Sequence, residues 1–289
     1  DELEIDFTGT GPQAKGAINP PFDGTKALVY AAVKSALGVL GFDIPKTGGY
    51  FRPIKVTAPP GSFVNPLPPA PVTARNVGCI RVFQTVLGAF AQMIPDRMPA
   101  STGGCENHHN LAGYDKSQQP WRAWIMGEVH NEIAGGAFPD RDGLDAQGCG
   151  TSNTANVPVE QIEAEYPIVV ERYGILPDKE GAGQYRGGVG MVRRFKVLED
   201  DVVLQMRTDR RTHPPYGLQG GKSAATSKII LNPGTDEEEL LPTKFVRTVN
   251  AGDVVEIQYP GAGGWGDPMK RDPQKVLDDV IEEKITPEW

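Results

Sequence analysis

The chain has 289 residues, 39% hydrophobic and 23% charged, with a formal net charge of −8. That length supports one large or two ordinary domains with a real core, and an acidic balance without a basic run argues against a nucleic-acid partner. No apolar run approaches the roughly 20 residues of a membrane span, and the widely spaced Cys79, Cys105 and Cys149 suit neither a disulfide framework nor a CxxC zinc pattern, so a reducing, cytoplasmic setting is expected.

Asp1 to Phe7 already alternates polar and apolar residues, which predicts a half-buried strand running from the start. The expectation is therefore a piece of a longer polypeptide, with an active site divided between this piece and other residues. A turn-rich stretch follows, then a helix from about Asp23 or Thr25 to Leu40, closed by Gly41. Residues 42–74 are Pro-rich and extended, with a short strand at Ile54 to Thr57. From Arg75 to Ile94, apolar residues at Cys79, Ile80, Phe83, Val86, Leu87, Phe90 and Met93 trace the stripe of an amphipathic helix, stopped by Pro95. Residues 99–157 are polar and hold three of the four histidines. From Tyr166 onward, short apolar strands are predicted near 167–173, 192–197, 202–206, 227–231, 245–249 and 254–259. The acidic run Asp236 to Glu239 reads as a solvated loop. A last helix begins with Asp272 as N-cap and Pro273 in its first turn.

The fold class is α+β: a mixed helix and strand first half, a β-rich sandwich or jelly-roll-like second half, and a C-terminal helix. The corresponding expected divisions are 1–157, 158–268 and 269–289.

Two glycine-rich stretches invite a nucleotide reading. Gly261-Ala262-Gly263-Gly264-Trp265-Gly266 matches G-x-G-x-x-G after a strand. However, Asp267-Pro268 follows before a helix can open, and a dinucleotide fingerprint needs its amides at a helix N-terminus. The stretch reads instead as a turn in which backbones approach closely. Gly181 to Gly190 lacks the Gly-Lys-Ser/Thr ending of a phosphate loop and reads as a hairpin connection.

The chemistry-bearing residues lie elsewhere. Glu106, His108 and His109 are followed about twenty residues later by Glu128, His130 and Glu132. Three readings stand: a His/Glu metal set drawing on His108, His109 and His130, a polar wall facing substrate, or hydrogen-bonded structural residues. As acid or base, Glu106, His108 and His130 are the candidates, because imidazole titrates near neutral pH. Asn153 and Asn156 offer amide donors to a carbonyl or oxyanion, with Glu160 placed to orient one of them; an Asx-rich turn is the alternative. Asn76 lies at the predicted start of the second helix, where it either caps the helix or contacts substrate. Cys79, one turn inside, reads as a packed thiol.

Several stretches together resemble one family. They are Asp6-Phe7-Thr8-Gly9-Thr10 with Gln13 and Gly16-Ala17-Ile18-Asn19; Phe51-Arg52-Pro53-Ile54; Val64-Asn65-Pro66; Asn153-Thr154 with Asn156 to Glu160; Gly181 to Gly188; and Gly261 to Pro268. In this order and spacing the chain resembles the hydantoinase B/oxoprolinase family over nearly its whole length. The resemblance implies a B-type subunit, here its C-terminal part, of an ATP-dependent enzyme that opens a lactam or hydantoin ring. It also implies an A-type partner subunit that binds ATP and phosphorylates the substrate oxygen, an N-terminal part of the same B-type subunit, and a divalent metal held mainly by residues upstream of this chain. Ketone carboxylases of the acetone and acetophenone type share the family, and a non-catalytic assembly module of such a complex is a further alternative. His108-His109 and Glu128 to His130 depart from the Asn- and Gly-rich sequence usual in the family, so neither hydantoin nor oxoproline is assigned as substrate.

Overall fold

The computed structural model describes residues 2–45, 47–104, 108–117, 119–129, 133–148, 151 and 155–289. The chain forms two compact units, Asp1–Met98 and Pro99–Trp289.

In the first unit, strand β1 (Leu3–Asp6) pairs in parallel with β2 (Ile54–Thr57), Leu3 opposite Ile54 and Asp6 opposite Thr57. Between them runs helix α1 (Phe22–Val39), and after them α2 (Arg75–Met93). The two helices bury one shared stripe: Val29, Ala32 and Val33 of α1 join Val82, Phe83 and Val86 of α2, with Ile54 and Val64. Each large side chain taken from water there contributes roughly 1.5–3 kcal/mol. Gly41 has φ +87°, its N–H bonds to the Gly38 carbonyl, and the Phe42 N–H reaches the Leu37 carbonyl. This double bond is a Schellman ending, so α1 stops where Gly41 predicted.

Family-motif residues of this unit turn out to be loop staples. Asn19 is fully buried; its side-chain oxygen accepts the Ala14 N–H, and its amide donates to the carbonyls of Ala14, Gly16 and Pro71. Gln13 pairs with both backbone groups of Leu67, and the Asn65 amide donates to the Ala58 carbonyl. A short polar side chain satisfies backbone groups that no strand or helix pairs.

The second unit is a β-sandwich. It comprises β3 (His108–Asp115), β4 (Arg122–Val129), α3 (Val159–Glu165), β5 (Ile168–Leu176), β6 (Gly190–Val197), β7 (Val202–Arg207), β8 (Lys228–Leu231), β9 (Glu239–Leu240), β10 (Lys244–Val249), β11 (Val254–Gln258) and α4 (Pro273–Ile281). One sheet has the order β10-β7-β3-β4 and the other β5-β6-β11-β8-β9. Neighbouring strands within both sheets run antiparallel. The core draws Leu111, Met126, Leu204 and Met206 from the first sheet and Ile168, Phe195, Ile229 and Ile257 from the second. Alternate residues face inward, as a half-buried strand requires.

The sequence pattern does not announce β3 and β4. They lie in the polar stretch 99–157, which the expected division at 157 groups with the first half. Yet β3 pairs with β7 from Ala112↔Val203 to His108↔Arg207, and the compact units divide after Met98. The physical reason is that the inward positions of β3 are His109, Leu111 and Gly113, too few large apolar residues to show alternation.

The glycine-rich stretches form a layer of touching backbones. A Cβ on Gly187 would lie 1.8 Å from the Ala262 carbonyl oxygen, and one on Gly263 1.9 Å from that of Tyr216. Backbone bonds lace the layer: Gly181 N–H to Ala262, Ala262 N–H to Gly188, and Tyr185 with Trp265 in both directions. Close approach is thus the reason for the glycines.

The C-terminal helix is locked to that layer. Asp272 caps α4 by accepting the Gln274 N–H. Asp279 of α4 accepts from Arg186 Nε at 2.9 Å and from Arg271 Nη2 at 2.5 Å. Arg186 also binds Asp145, and Arg271 binds Asp142 at 2.7 Å. Both arginines are buried, at 3% and 7% exposure. Burial alone would raise the carboxyls of Asp142 and Asp145, but the hydrogen bonds and charges of Arg271 and Arg186 outweigh it and hold both below the usual range.

Candidate functional site

His108 opens β3, and its register partners are Val129 at the end of β4 and Arg207 at the end of β7; Arg207 in turn faces Lys244 of β10. One row across the sheet therefore reads Lys244, Arg207, His108, Val129. The next row reads Phe245, Met206, His109, Glu128. Within it, Met206 and His109 are fully buried, and the His109 ring stacks on Phe195 with centroids 5.3 Å apart. Adjacent strand residues occupy opposite faces. His109 is therefore a core residue stacked on Phe195, which takes it out of the expected metal set. Among the described residues, no three of His, Cys, Asp and Glu gather closely enough to hold a metal ion.

Arg210 supports this end of the sheet. Its guanidinium donates to the Ser101 hydroxyl at 2.7 Å and to the Thr102 carbonyl, just ahead of the stretch that carries Glu106. Arg210 is 6% exposed and adopts φ +61°, a left-handed conformation that costs a non-glycine residue about 1–2 kcal/mol. Such strain persists only where surrounding bonds enforce it, and here its own N–H is held by Asp209 Oδ1.

Asn156 precedes α3 and is half-buried; its amide donates to the Tyr173 hydroxyl on β5 at 2.5 Å. The Arg193 guanidinium covers the Tyr173 ring at 4.7 Å. Asn156 is thus tethered to β5 rather than free in an Asx turn. Glu160 is exposed in the first turn of α3. In the first unit, Asn76 is exposed as the second residue of α2; the cap position falls to Ala74, which offers no side-chain bond, so Asn76 is not the N-cap. Cys79 is buried in α2, close to Gly24, as expected of a packed thiol. Glu106, His130 and Asn153 lie outside the described residues, as does the side chain of His108.

Sequence reasoning missed Arg207, Lys244, Arg210 and Glu180. Strand register brings Arg207 beside His108 and Lys244 one strand further along the same row, and no local motif signals it. Glu180 is 4% exposed; its Oε2 accepts the Lys179 N–H while Oε1 has no hydrogen-bond partner. Burial pushes this carboxyl up to about 7, with the charge of Arg186 offsetting part of the rise.

An α+β chain with a β-sandwich unit, a glycine backbone layer and a polar strand end has known relatives. The family model for hydantoinase B/oxoprolinase matches residues 1–268, and the chain belongs to that family. The B-type subunit of a putative D-/L-hydantoinase from Pseudomonas sp. (strain NS671) is 32% identical over 293 residues, covering 99% of this chain and 48% of that protein. The crystal structure of an ATP-dependent caprolactamase from Pseudomonas jessenii superposes on all of this chain and 50% of its own, with a TM-score of 0.86 and 26% identity. A nucleotide-free acetone carboxylase shares the fold, with a TM-score of 0.80 and 17% identity over 99% of this chain and 42% of its own. The chain spans about half the length, or less, of these relatives. None of its described helices is long and apolar enough to cross a membrane.

Proposed function

We propose that this chain is part of the B-type subunit of an ATP-dependent cyclic-amide hydrolase, working with an A-type subunit that binds ATP. The observation that carries the reading is the superposition of the whole chain on an ATP-dependent caprolactamase at TM-score 0.86, joined to the family match over residues 1–268. Chemically, an amide carbonyl is a poor electrophile. Phosphorylation of its oxygen by the partner supplies a better leaving group, and water then attacks the carbon in a pocket that this chain helps to shape.

Within that reading, Glu106, His108 and His130 handle protons and polar contacts. Asn153 and Asn156 hold a substrate oxygen, Glu160 orients one of them, and Asn76 orients substrate at its helix start. Arg207 and Lys244, in the row of His108, favour an anionic group at that end of the sheet, which suits a phosphorylated intermediate. The family's divalent metal has no fitting ligand set among the described residues, and no step of this reading passes through it.

The test mixes the complete B-type subunit with its A-type partner, ATP and a panel of lactams and hydantoins. Ring-opened product with matching ATP consumption supports the reading. ATP consumption that instead requires a ketone and bicarbonate moves the protein to the carboxylase branch.

A further inference from the structure

At the end of β3 far from His108, the β3–β4 hairpin, the end of α3 and the β6–β7 turn enclose a cavity of about 300 Å³. Its wall includes Asp115, Arg122, Trp124, Glu165, Tyr166 and Glu199. Asp115 and Arg122 are register partners across the hairpin, and the Trp124 and Tyr166 rings lie 5.9 Å apart at an angle of 50°.

Two buried polar atoms here lack hydrogen bonds. Trp124 is 6% exposed and its indole N–H has no partner. Glu199 contributes a carboxylate oxygen that is also buried and unpartnered. A native interior rarely leaves such atoms unmade, and each calls for an explanation. One is purely a donor and the other purely an acceptor. What completes them must bring an acceptor to Trp124 and a donor to Glu199.

We propose that this cavity binds a small zwitterionic amino acid. The ligand carboxylate accepts the Trp124 N–H and pairs with Arg122. Its ammonium group donates to Glu199, in the field of Asp115 and Glu165, and its methylenes lie against the Trp124 and Tyr166 rings. Three carboxylates against one guanidinium select against a ligand of net negative charge. Hydrolysis of a lactam breaks the C–N bond, with water supplying hydroxyl to carbon and a proton to nitrogen, and so leaves a carboxylate and an ammonium on one molecule. The ligand class is therefore the product class of the reaction proposed above. Only that link rests on the lactam reading; the binding itself rests on the cavity.

The test is titration calorimetry of the full chain with glycine, γ-aminobutyrate and ε-aminocaproate, using hexylamine and hexanoate as one-ended controls. The expected result is saturable binding of at least one amino acid, with both controls about tenfold weaker or worse. Trp124→Phe, which keeps the ring and removes the N–H, and Glu199→Gln should each weaken binding about tenfold. A thermal transition matching the parent shows that each variant is folded. If Trp124→Phe fails to fold, Glu199→Gln decides alone, since that carboxylate oxygen holds no partner in the protein. No saturable binding of any amino acid, equal binding of hexylamine, or affinity unchanged in the folded variants overturns the proposal. Loss of ATP-dependent ring opening with binding intact counts against the lactam reading only.

Discussion

Glu180 offers a quantitative test of how burial sets charge in this chain. Its carboxyl is buried, one oxygen lacks a partner, and burial raises it from the ordinary 4.5 to about 7. Between those values the folded chain holds a proton that the unfolded chain releases. Stability contributed by the protonated group is therefore complete below about pH 4.5 and is lost as pH rises through about 7. At about 1.4 kcal/mol per tenfold change in proton affinity, the displacement amounts to roughly 3 kcal/mol once ionisation is complete. Glu180→Gln keeps the shape and abolishes the titration. Urea unfolding of parent and variant at pH 5 and pH 8 should show their stability difference moving by about 2.5 kcal/mol in favour of the variant at the higher pH. A difference that stays constant across that interval would refute the claim that burial governs this group.

Further expectations follow from the same structure. Asp279→Ala removes the carboxylate shared by Arg186 and Arg271 and should cost about 3–5 kcal/mol, read as a lowered denaturation midpoint. Acid should weaken the same cluster, because Asp142 and Asp145 are held below the usual range; their contribution is present above about pH 3.8 and lost as pH falls through the depressed values, which unfolding curves at descending pH will report. Gly187→Ala drives a Cβ to 1.8 Å from the Ala262 carbonyl and should abolish folding, whereas Gly174→Ala meets open space and should be tolerated, as circular dichroism will show. In the assembled enzyme, His108→Ala should lower ATP-dependent turnover about 100-fold and Asn156→Ala measurably, with melting temperatures near that of the parent. Full turnover in both would leave the assembly-module reading standing.

Much of the fold is legible in the sequence where apolar periodicity is strong. Helix α2 shows a continuous stripe from Cys79 to Phe90, and α4 is marked by Asp272 and Pro273 at its start. β6, β7 and β11 alternate or run apolar and are bounded by turn residues. β3 and β4 are not legible, because the inward positions of β3 include a histidine and a glycine, and its identity as a strand is fixed by pairing with β7, far along the chain. The glycine motifs are recognisable as close-approach turns, yet their partners (Ala262 for Gly187, Tyr216 for Gly263) emerge only in three dimensions. The site is legible in part. Asn156 stands out in the sequence as an amide donor, but its tie to Tyr173 on β5 spans 17 residues and the whole of α3. His109 misleads: its polarity suggests a ligand, while strand alternation sends it into the core beside Phe195.

The central claim is that this chain shapes the pocket of an enzyme whose amide substrate is activated by a nucleotide-binding neighbour. Single-turnover analysis of the assembled enzyme with oxygen-18 labelled water, ATP and a lactam tests it most directly. The predicted result is ring opening that strictly requires the neighbour and ATP, with both oxygens of the new carboxylate labelled and the original amide oxygen transferred to inorganic phosphate. Ring opening by residues 1–289 alone without nucleotide, or phosphate free of the amide oxygen, would contradict it.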